Sequence, residues 1–223
     1  MIRPLFALAL SLTLLAAPAR ADDASDKTLA ALEQRLIAAG AVRFLVEIKN
    51  EGLNPAELKG EYDVRQGNRT FLRATGKFRD EPLDLTLRSD QDKLDGKVNG
   101  TSFSAKTPLQ LSESLLVKLV RMGVLHTFAV ISAKRPPDLA EGDVRRVLEI
   151  RNARRGGADK MLGDRITRPI SFTLVVSGQA VGEATLWLDL ASGLPVRREQ
   201  KVKLGDQGEM TLVERYEKFE LGR

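Results

Sequence analysis

Residues 182–198 read GEATLWLDLASGLPVRR and predict two antiparallel strands joined by a turn. Ala184, Leu186 and Leu188 alternate with residues such as Glu183, which is the period of a strand with one buried face. The segment ASG places Gly193 at the turn, and a charged strand returns after it. This hairpin therefore predicts a sheet with one apolar face and one wet face.

The same alternation recurs along most of the chain, on both sides of this hairpin. Short strands separated by turns such as Asn99-Gly100 are typical of an antiparallel meander. Residues 144–152 have strand or mixed character, and residues 154–163 are predicted to be a polar, Gly-containing connection. The other predicted strands are 42–48, 58–65, 70–78, 83–87, 94–98, 101–105, 170–176, 196–204 and 209–221.

Two segments, 28–39 and 111–134, have helical periodicity instead. The second is apolar on most of its circumference, so we expect it to be enclosed by the rest of the protein. Strands with one apolar face need a cover, and these helices are the candidates. The predicted boundary residues are Gly40 as the stop of the first helix, Ser112 or Ser114 as the N-cap of the second, Gly123 as a break within it, and Pro136-Pro137 as its stop.

The first 21 residues predict export. Arg3 is followed by a short apolar run rich in Leu and Ala, and then by the small-x-small triplet ARA that signal peptidase reads. The run of about 13 residues is shorter than the roughly 20 that a membrane-spanning helix needs. We therefore expect a signal peptide at 1–21, a single domain at 22–223 and a periplasmic or secreted mature protein. A short N-terminal anchor is the alternative.

The chain has no cysteine, which excludes disulfides, thiol catalysis and lipid attachment to an N-terminal Cys. Without Arg3 and Arg20, 33 basic residues stand against 30 acidic ones, a weak and well-mixed excess. We interpret short basic clusters such as Arg197-Arg198 as solvated surface, with contact to anionic lipid headgroups as the alternative. They lack interleaved aromatic residues, so we expect no nucleic-acid partner.

Candidate catalytic and metal-binding residues are few. The single histidine, His126, lies within a predicted apolar helix, and the G-x-S-x-G and phosphate-loop motifs are absent. Asp90 and Asp92 do not complete a calcium-loop pattern. We therefore expect no catalytic residue, no metal and no cofactor. A hydrolase with carboxylates dispersed along the chain is a further hypothesis, although sugar sites usually show more exposed aromatic residues than this chain offers.

The hairpin carries W-x-D at 187–189 and G-L-P at 193–195, and the chain ends with VERYEKF at 213–219. With the order helix, strands, central helices, strands, nearly the whole mature chain resembles the LolA-like superfamily of periplasmic lipoprotein carriers and their relatives. The resemblance implies an α+β fold in which a curved antiparallel half-barrel sheet is covered on its concave face by helices. It further implies that the helices form a lid over an apolar cavity for acyl chains, with an arginine inside the cavity in lid control.

These observations lead to a functional prediction. We expect a monomeric, non-enzymatic binder or carrier of a lipid or lipidated protein, with an envelope protein and peripheral membrane contact as further candidate partners. The alternative is an envelope sensor or adaptor module that uses the same fold for protein–protein interaction without a lipid guest. The residues expected to line the apolar cavity are Leu83, Leu85, Leu87, Leu116, Leu119, Met122, Phe172, Leu174, Leu186 and Leu188.

Overall fold

A computed structural model describes residues 22–133, 143–203 and 205–222. The predicted signal peptide, the Pro136-Pro137 stop and Leu204 lie outside the described residues. The elements are α1 (Asp23–Ala38), β1 (Ala41–Gly52), β2 (Ala56–Arg65), β3 (Arg69–Phe78), β4 (Glu81–Asp90), β5 (Lys93–Val98), β6 (Thr101–Lys106), α2 (Leu111–Arg121), α3 (Leu125–Ile131), β7 (Leu148–Arg155), β8 (Lys160–Leu162), β9 (Arg165–Val176), β10 (Gln179–Asp189), β11 (Pro195–Lys203) and β12 (Glu209–Gly222).

These strands form one antiparallel sheet in the order β6-β5-β4-β3-β2-β1-β12-β11-β10-β9-β7, with β8 added beside β9. Two meanders, β1–β6 and β9–β12, are joined because the first strand pairs with the last, for example at Val46 and Tyr216. Within the described residues the sheet stays open, with β6 and β7 at its ends. The predicted α+β class with an open, curved antiparallel sheet is confirmed.

Interruptions in strand pairing occur where the sheet must bend. The register between β1 and β12 shifts between Arg43 and Leu45, and Lys218 on the longer side of this bulge has a φ of 50°. A second shift lies between Trp187 and Leu188 in the β10–β11 pair. Extra residues of this kind bend a strand and increase its twist. They account for a sheet that curves around its apolar face.

The core lies between this apolar face and the helices. Helix α1 contributes the buried side chains of Leu29, Leu32 and Leu36 to this core, as the helical spacing of these leucines predicts. On the sheet, the ring of Phe44 stacks on Tyr62, with ring centroids 4.8 Å apart. Stacked aromatic pairs of this kind stabilise a core beyond the area that they bury.

The first helix begins five residues earlier than the predicted Thr28. Asp22 is its N-cap, and the Asp22 carboxylate accepts a hydrogen bond of 3.0 Å from the Ala24 N–H. The Asp22 N–H also donates to the Ala153 carbonyl at 2.8 Å. The predicted start was too late because the apolar periodicity begins only at residue 28, whereas the first turn of the helix is polar.

The second helical segment differs from its prediction at both ends. Gln110 is the N-cap of α2, so neither Ser112 nor Ser114 takes that role. Instead, Ser112 donates its hydroxyl to the Arg65 carbonyl at 2.7 Å, and its N–H donates to the Asn68 side chain at 3.2 Å. A side chain from the β2–β3 turn thus satisfies an N–H that local capping was expected to satisfy.

The predicted break at Gly123 separates α2 from α3, and α3 ends at Ile131 rather than at Lys134. The region expected to be mixed begins with a 3₁₀ turn at Val144–Arg146 and continues as β7. The predicted polar connection at 154–163 is wrong in part, because it contains the end of β7 and the short strand β8. Backbone pairing to β9 overrides the polar composition there.

Candidate functional site

All ten residues predicted to contact a guest are buried. The exposed fraction ranges from 0% for Phe172 to 9% for Met122. Strands β4, β9 and β10 contribute seven of them, and α2 with its C-cap residue Met122 contributes three. We call the buried apolar face of the sheet the inner surface. All of the ten except Met122 belong to one cluster of buried apolar side chains.

The sheet brings some of these residues directly together and keeps others apart. Phe172 of β9 faces Ala184 of β10, and Leu186 faces Ile170, so the candidate residues of these two strands are neighbours. The leucines of β4 lie on the other half of the sheet, with five strands between β4 and β10. Residues from the two halves therefore meet through the core and not through strand pairing.

The two helices α2 and α3, which we call the cover, lie against the inner surface. Gly60 has no side chain, and the ring of Phe128 occupies the space above it: a Cβ there would lie 3.0 Å from two ring atoms. At the other end of the cover, the Tyr62 hydroxyl donates to the Leu115 carbonyl at 3.4 Å. Close fit and a polar contact thus position the cover over β2.

A buried arginine holds the end of α2. Arg198 of β11 is fully buried, and its guanidinium donates to the carbonyls of Val120 and Arg121, both at 2.9 Å. These are carbonyls of the last helical turn, which have no partner within a helix. The Arg198 Nε–H donates to the Gln200 side chain at 2.8 Å. The bonds to Val120 and Gln200 are buried, and the bond to Arg121 is partly buried.

A buried glutamate holds the start of α3. Glu214 of β12 is also fully buried, and one carboxylate oxygen accepts from the N–H groups of Val124 at 2.8 Å and Leu125 at 2.9 Å. The other oxygen accepts from the Tyr216 hydroxyl. Gly123 has a φ of 84°, and a Cβ there would lie 2.6 Å from this carboxylate. A glycine is therefore required by both backbone conformation and space.

Arg198 and Glu214 occupy directly opposite positions on neighbouring strands. We call these two residues the clamp, because together they hold both sides of the α2–α3 junction. Burial raises the pKa of Glu214 and lowers the pKa of Arg198, while their opposite charges act against both shifts. Charges taken out of water this way are tolerated only when paired and hydrogen-bonded, so each half of the clamp depends on the other.

A second polar cluster connects α1, α2 and the 3₁₀ turn before β7. Glu33 is 8% exposed and lies 2.8 Å from the Arg121 guanidinium and 2.9 Å from that of Arg145. Arg145 also contacts Glu113 at 2.7 Å, and Arg121 donates to the Leu148 carbonyl at 2.6 Å. This cluster fixes one side of the cover to the N-terminal helix.

The clamp was not predicted, although the sequence contains a signal for it. Arg198 comes two residues after Val196 and four residues before Val202, and Glu214 lies midway between Leu212 and Tyr216. Strict alternation therefore places both charges on the apolar face. The interpretation of the Arg197-Arg198 pair as solvated surface is wrong for Arg198, which is fully buried. Successive side chains of a strand point to opposite faces, so two neighbouring arginines cannot both face solvent on one side of the sheet.

Little in the described residues suggests catalysis. The side chain of His126 reaches solvent on α3, and no set of three His, Asp or Glu residues in the ranges described is arranged to hold a metal ion. The surrounding protein shields the imidazole in part from water, and this partial desolvation, with the positive charge of Lys118, lowers the pKa of His126. None of the helices α1–α3 combines the length and apolar character that crossing a bilayer requires.

Comparison with known proteins identifies the fold. No protein-family model matches this sequence. No curated protein matches it either. Among solved structures, LprF from Mycobacterium bovis is 15% identical, with 90% of this chain and 94% of that chain covered and a TM-score of 0.50.

Two further crystal structures match less closely. Lipoprotein LppX from Mycobacterium tuberculosis is 16% identical, with 87% of this chain and 95% of that chain covered and a TM-score of 0.45. A LolA superfamily protein from Nitrosomonas europaea is 10% identical, with coverages of 89% and 94% and a TM-score of 0.32. The open curved sheet, its helical cover and the match to LprF show the fold that the resemblance to the LolA-like superfamily implied.

Proposed function

We propose that this protein is a periplasmic, non-enzymatic binder or carrier of a lipid or lipidated protein, whose acyl chain lies between the inner surface and the cover. The observation that carries the proposal is the combination of a broad apolar surface with a cover whose central junction is held by a polar clamp. The ten candidate residues are proposed as the lining of the guest site. Residues 1–21 are proposed as the export signal.

The clamp favours a cover that rearranges without leaving the sheet. Arg198 donates to a backbone carbonyl and Glu214 accepts from a backbone N–H at the helix junction, so these bonds fix a point without holding the side chains of α2 and α3. Gly123, with its positive φ, lies at this point. A guest could therefore displace apolar side chains on either side of the junction while the junction itself stays attached.

An acyl chain offers enough free energy for such a displacement. Each buried CH₂ contributes roughly 0.8 kcal/mol, so about ten buried methylenes contribute roughly 8 kcal/mol. Displacement removes van der Waals contacts between side chains of the cover and the inner surface, and contacts of both with the acyl chain replace them. A polar anchor is not needed for binding on this estimate.

A binding titration with a fluorescent fatty acid tests the proposal. The mature protein should bind the probe saturably, and Leu87→Glu should weaken binding because it introduces an unpaired charge on the inner surface. Thr86→Glu is the matched control, since Thr86 lies on the opposite face of β4 between Arg73 and Lys97. Circular dichroism confirms that each variant folds. No saturable binding by the wild type, where a known lipid carrier binds, would remove the proposal.

An envelope interaction module without a guest is the second candidate. The observation that favours it is the close association of nearly all the candidate residues in one apolar cluster, since a fully packed interior leaves no room for a guest. Protein purified from a membrane-containing lysate separates the two candidates. A carrier should release extractable acyl lipid, and a packed module should release none.

A further inference from the structure

The β6 end of the sheet differs from the rest of the molecule in its exposure. β6 is the last strand on that side, and five of its six residues are exposed, with Phe103 half-buried. Its inward-facing residues Thr101 and Ala105 are therefore not covered as the inner surface of the other strands is. Strand β6 therefore has one backbone edge without a neighbouring strand among those described, and its side chains are accessible on both faces of the sheet.

The hairpin geometry decides which backbone groups point to the free side. Asn99 and Gly100 form a two-residue turn with φ values of 48° and 87°, which is the left-handed pattern of a type I′ hairpin turn. Val98 and Thr101 flank this turn and so form a hydrogen-bonded pair. The N–H and C=O groups of Thr101, Phe103 and Ala105 accordingly face β5.

The backbone groups of the intervening residues face away from β5. Ser102, Ser104 and Lys106 thus present their N–H and C=O groups at the edge, and among the strands described none pairs with them. The strand contains no proline and no bulge. Proline and bulges are among the features that protect an edge, because a regular unpaired edge is a template for another strand.

The side chains around this edge set the chemistry of a partner. On the inward side, the Phe103 ring lies over Gly96, where a Cβ would be 2.0 Å from the ring, and Ala105 lies beside it. On the outward side, Asp95 is paired with Lys93 at 3.0 Å, whereas Lys97 and Lys106 make no ion pair within the described parts of the chain. An added strand would meet an apolar side and a basic side.

We propose that the β6 edge binds an extended acidic segment of an envelope protein by strand addition. Backbone groups of Ser102, Ser104 and Lys106 pair with the segment, and its alternate apolar side chains contact Phe103 and Ala105. Its acidic side chains, on the other face, lie near Lys97 and Lys106. This interaction goes beyond the proposed carrier function and does not depend on it.

The test uses the mature protein and a fluorescein-labelled, acetylated octapeptide of alternating Val and Glu. Fluorescence anisotropy should show saturable binding that weakens as ionic strength rises, because salt screens the Lys97 and Lys106 charges. Ser104→Pro removes an outward N–H and should reduce affinity at least about tenfold. Ser104→Ala is the matched control and should bind as the wild type does.

A charge variant keeps the test decisive if Ser104→Pro does not fold. The double variant Lys97→Glu with Lys106→Glu should also lose at least about tenfold in affinity, while fatty-acid binding is unchanged. Equal binding by the wild type and either variant would overturn the proposal. Equal binding of a Val–Lys octapeptide would also overturn it, as would a dimer of the free protein that Ser104→Pro disrupts, because the edge would then take a second copy.

Discussion

The β11–β12 region and the β6 end occupy the same sheet but treat charge in opposite ways. Arg198 and Glu214 are fully buried and bind backbone groups of the cover, whereas Lys97 and Lys106 stand exposed beside an unpaired strand edge. Buried charges must be matched by partners inside the protein, and exposed charges are available to partners outside it. The comparison teaches that the first region holds the molecule together and the second is suited to external contact.

Removal of the clamp arginine should have the largest effect. Arg198→Met leaves Glu214 buried without its counter-charge and leaves two α2 carbonyls without donors, so the free energy of unfolding should fall by about 3–5 kcal/mol. Lys106→Met removes a cation from the β6 end and should change it by less than about 0.5 kcal/mol. Urea unfolding followed by circular dichroism measures both.

The clamp should also behave as a unit. The double variant Arg198→Met with Glu214→Gln removes both charges, so it should cost less than the sum of the two single variants. Strict additivity in this double-mutant cycle would mean that the two residues act independently.

Truncation of one phenylalanine near β12 and one at the β6 end tests how tightly each region is packed. Phe44 is buried outside the proposed lining, and its ring packs edge-on against Tyr216 of β12, so Phe44→Ala should destabilise the protein by about 3–5 kcal/mol. Phe103→Ala at the half-buried edge position should cost about 1 kcal/mol or less. Chemical denaturation of the two variants checks the difference, and similar losses would show that the β6 end is as tightly packed as the centre.

Two leucines separate cover from core. Leu36→Ala, at a fully buried position on α1 that belongs neither to the inner surface nor to the cover, should cost about 2–5 kcal/mol and leave fatty-acid affinity unchanged. Leu119→Ala on the cover should cost less and alter fatty-acid affinity, because a guest site tolerates the lost volume. A cost of several kcal/mol for Leu119→Ala with unchanged binding would assign Leu119 to the core.

The smallest expected effect concerns pH. The pKa of His126 is lowered in the folded state, so the unfolded chain binds a proton more readily as the pH falls through the ordinary histidine range. The stabilising contribution is thus present above the unfolded pKa and is lost as the pH falls through the folded one. His126→Gln, in a chain with a single histidine, should flatten the decline in unfolding free energy between about pH 7 and pH 5. An unchanged slope would contradict this.

The strands and their faces could be predicted because alternation is local. Leu83, Leu85 and Leu87 are buried as their spacing indicates, and the break at Gly123 follows from one residue. The cap of α2 could not be predicted, since Asn68 reaches it from a distant turn. The alternation of the strands places Arg198 and Glu214 on the apolar face, but each lies beside another charged residue, which is typical of a solvated surface. The contacts of the clamp with α2 and α3 depend on tertiary packing, which local sequence does not specify.

The central claim is that an acyl guest lies between the inner surface and the cover. The most direct measurement is photo-crosslinking of the mature protein with a fatty acid that carries a photoreactive group at its chain end, followed by peptide mass spectrometry. We predict labelled residues on the inner faces of β4, β9 and β10 and on α2, with labelling suppressed by excess unlabelled fatty acid. Labelling confined to the outer face of the sheet or to the β6 edge, or labelling that excess fatty acid does not suppress, would contradict the account.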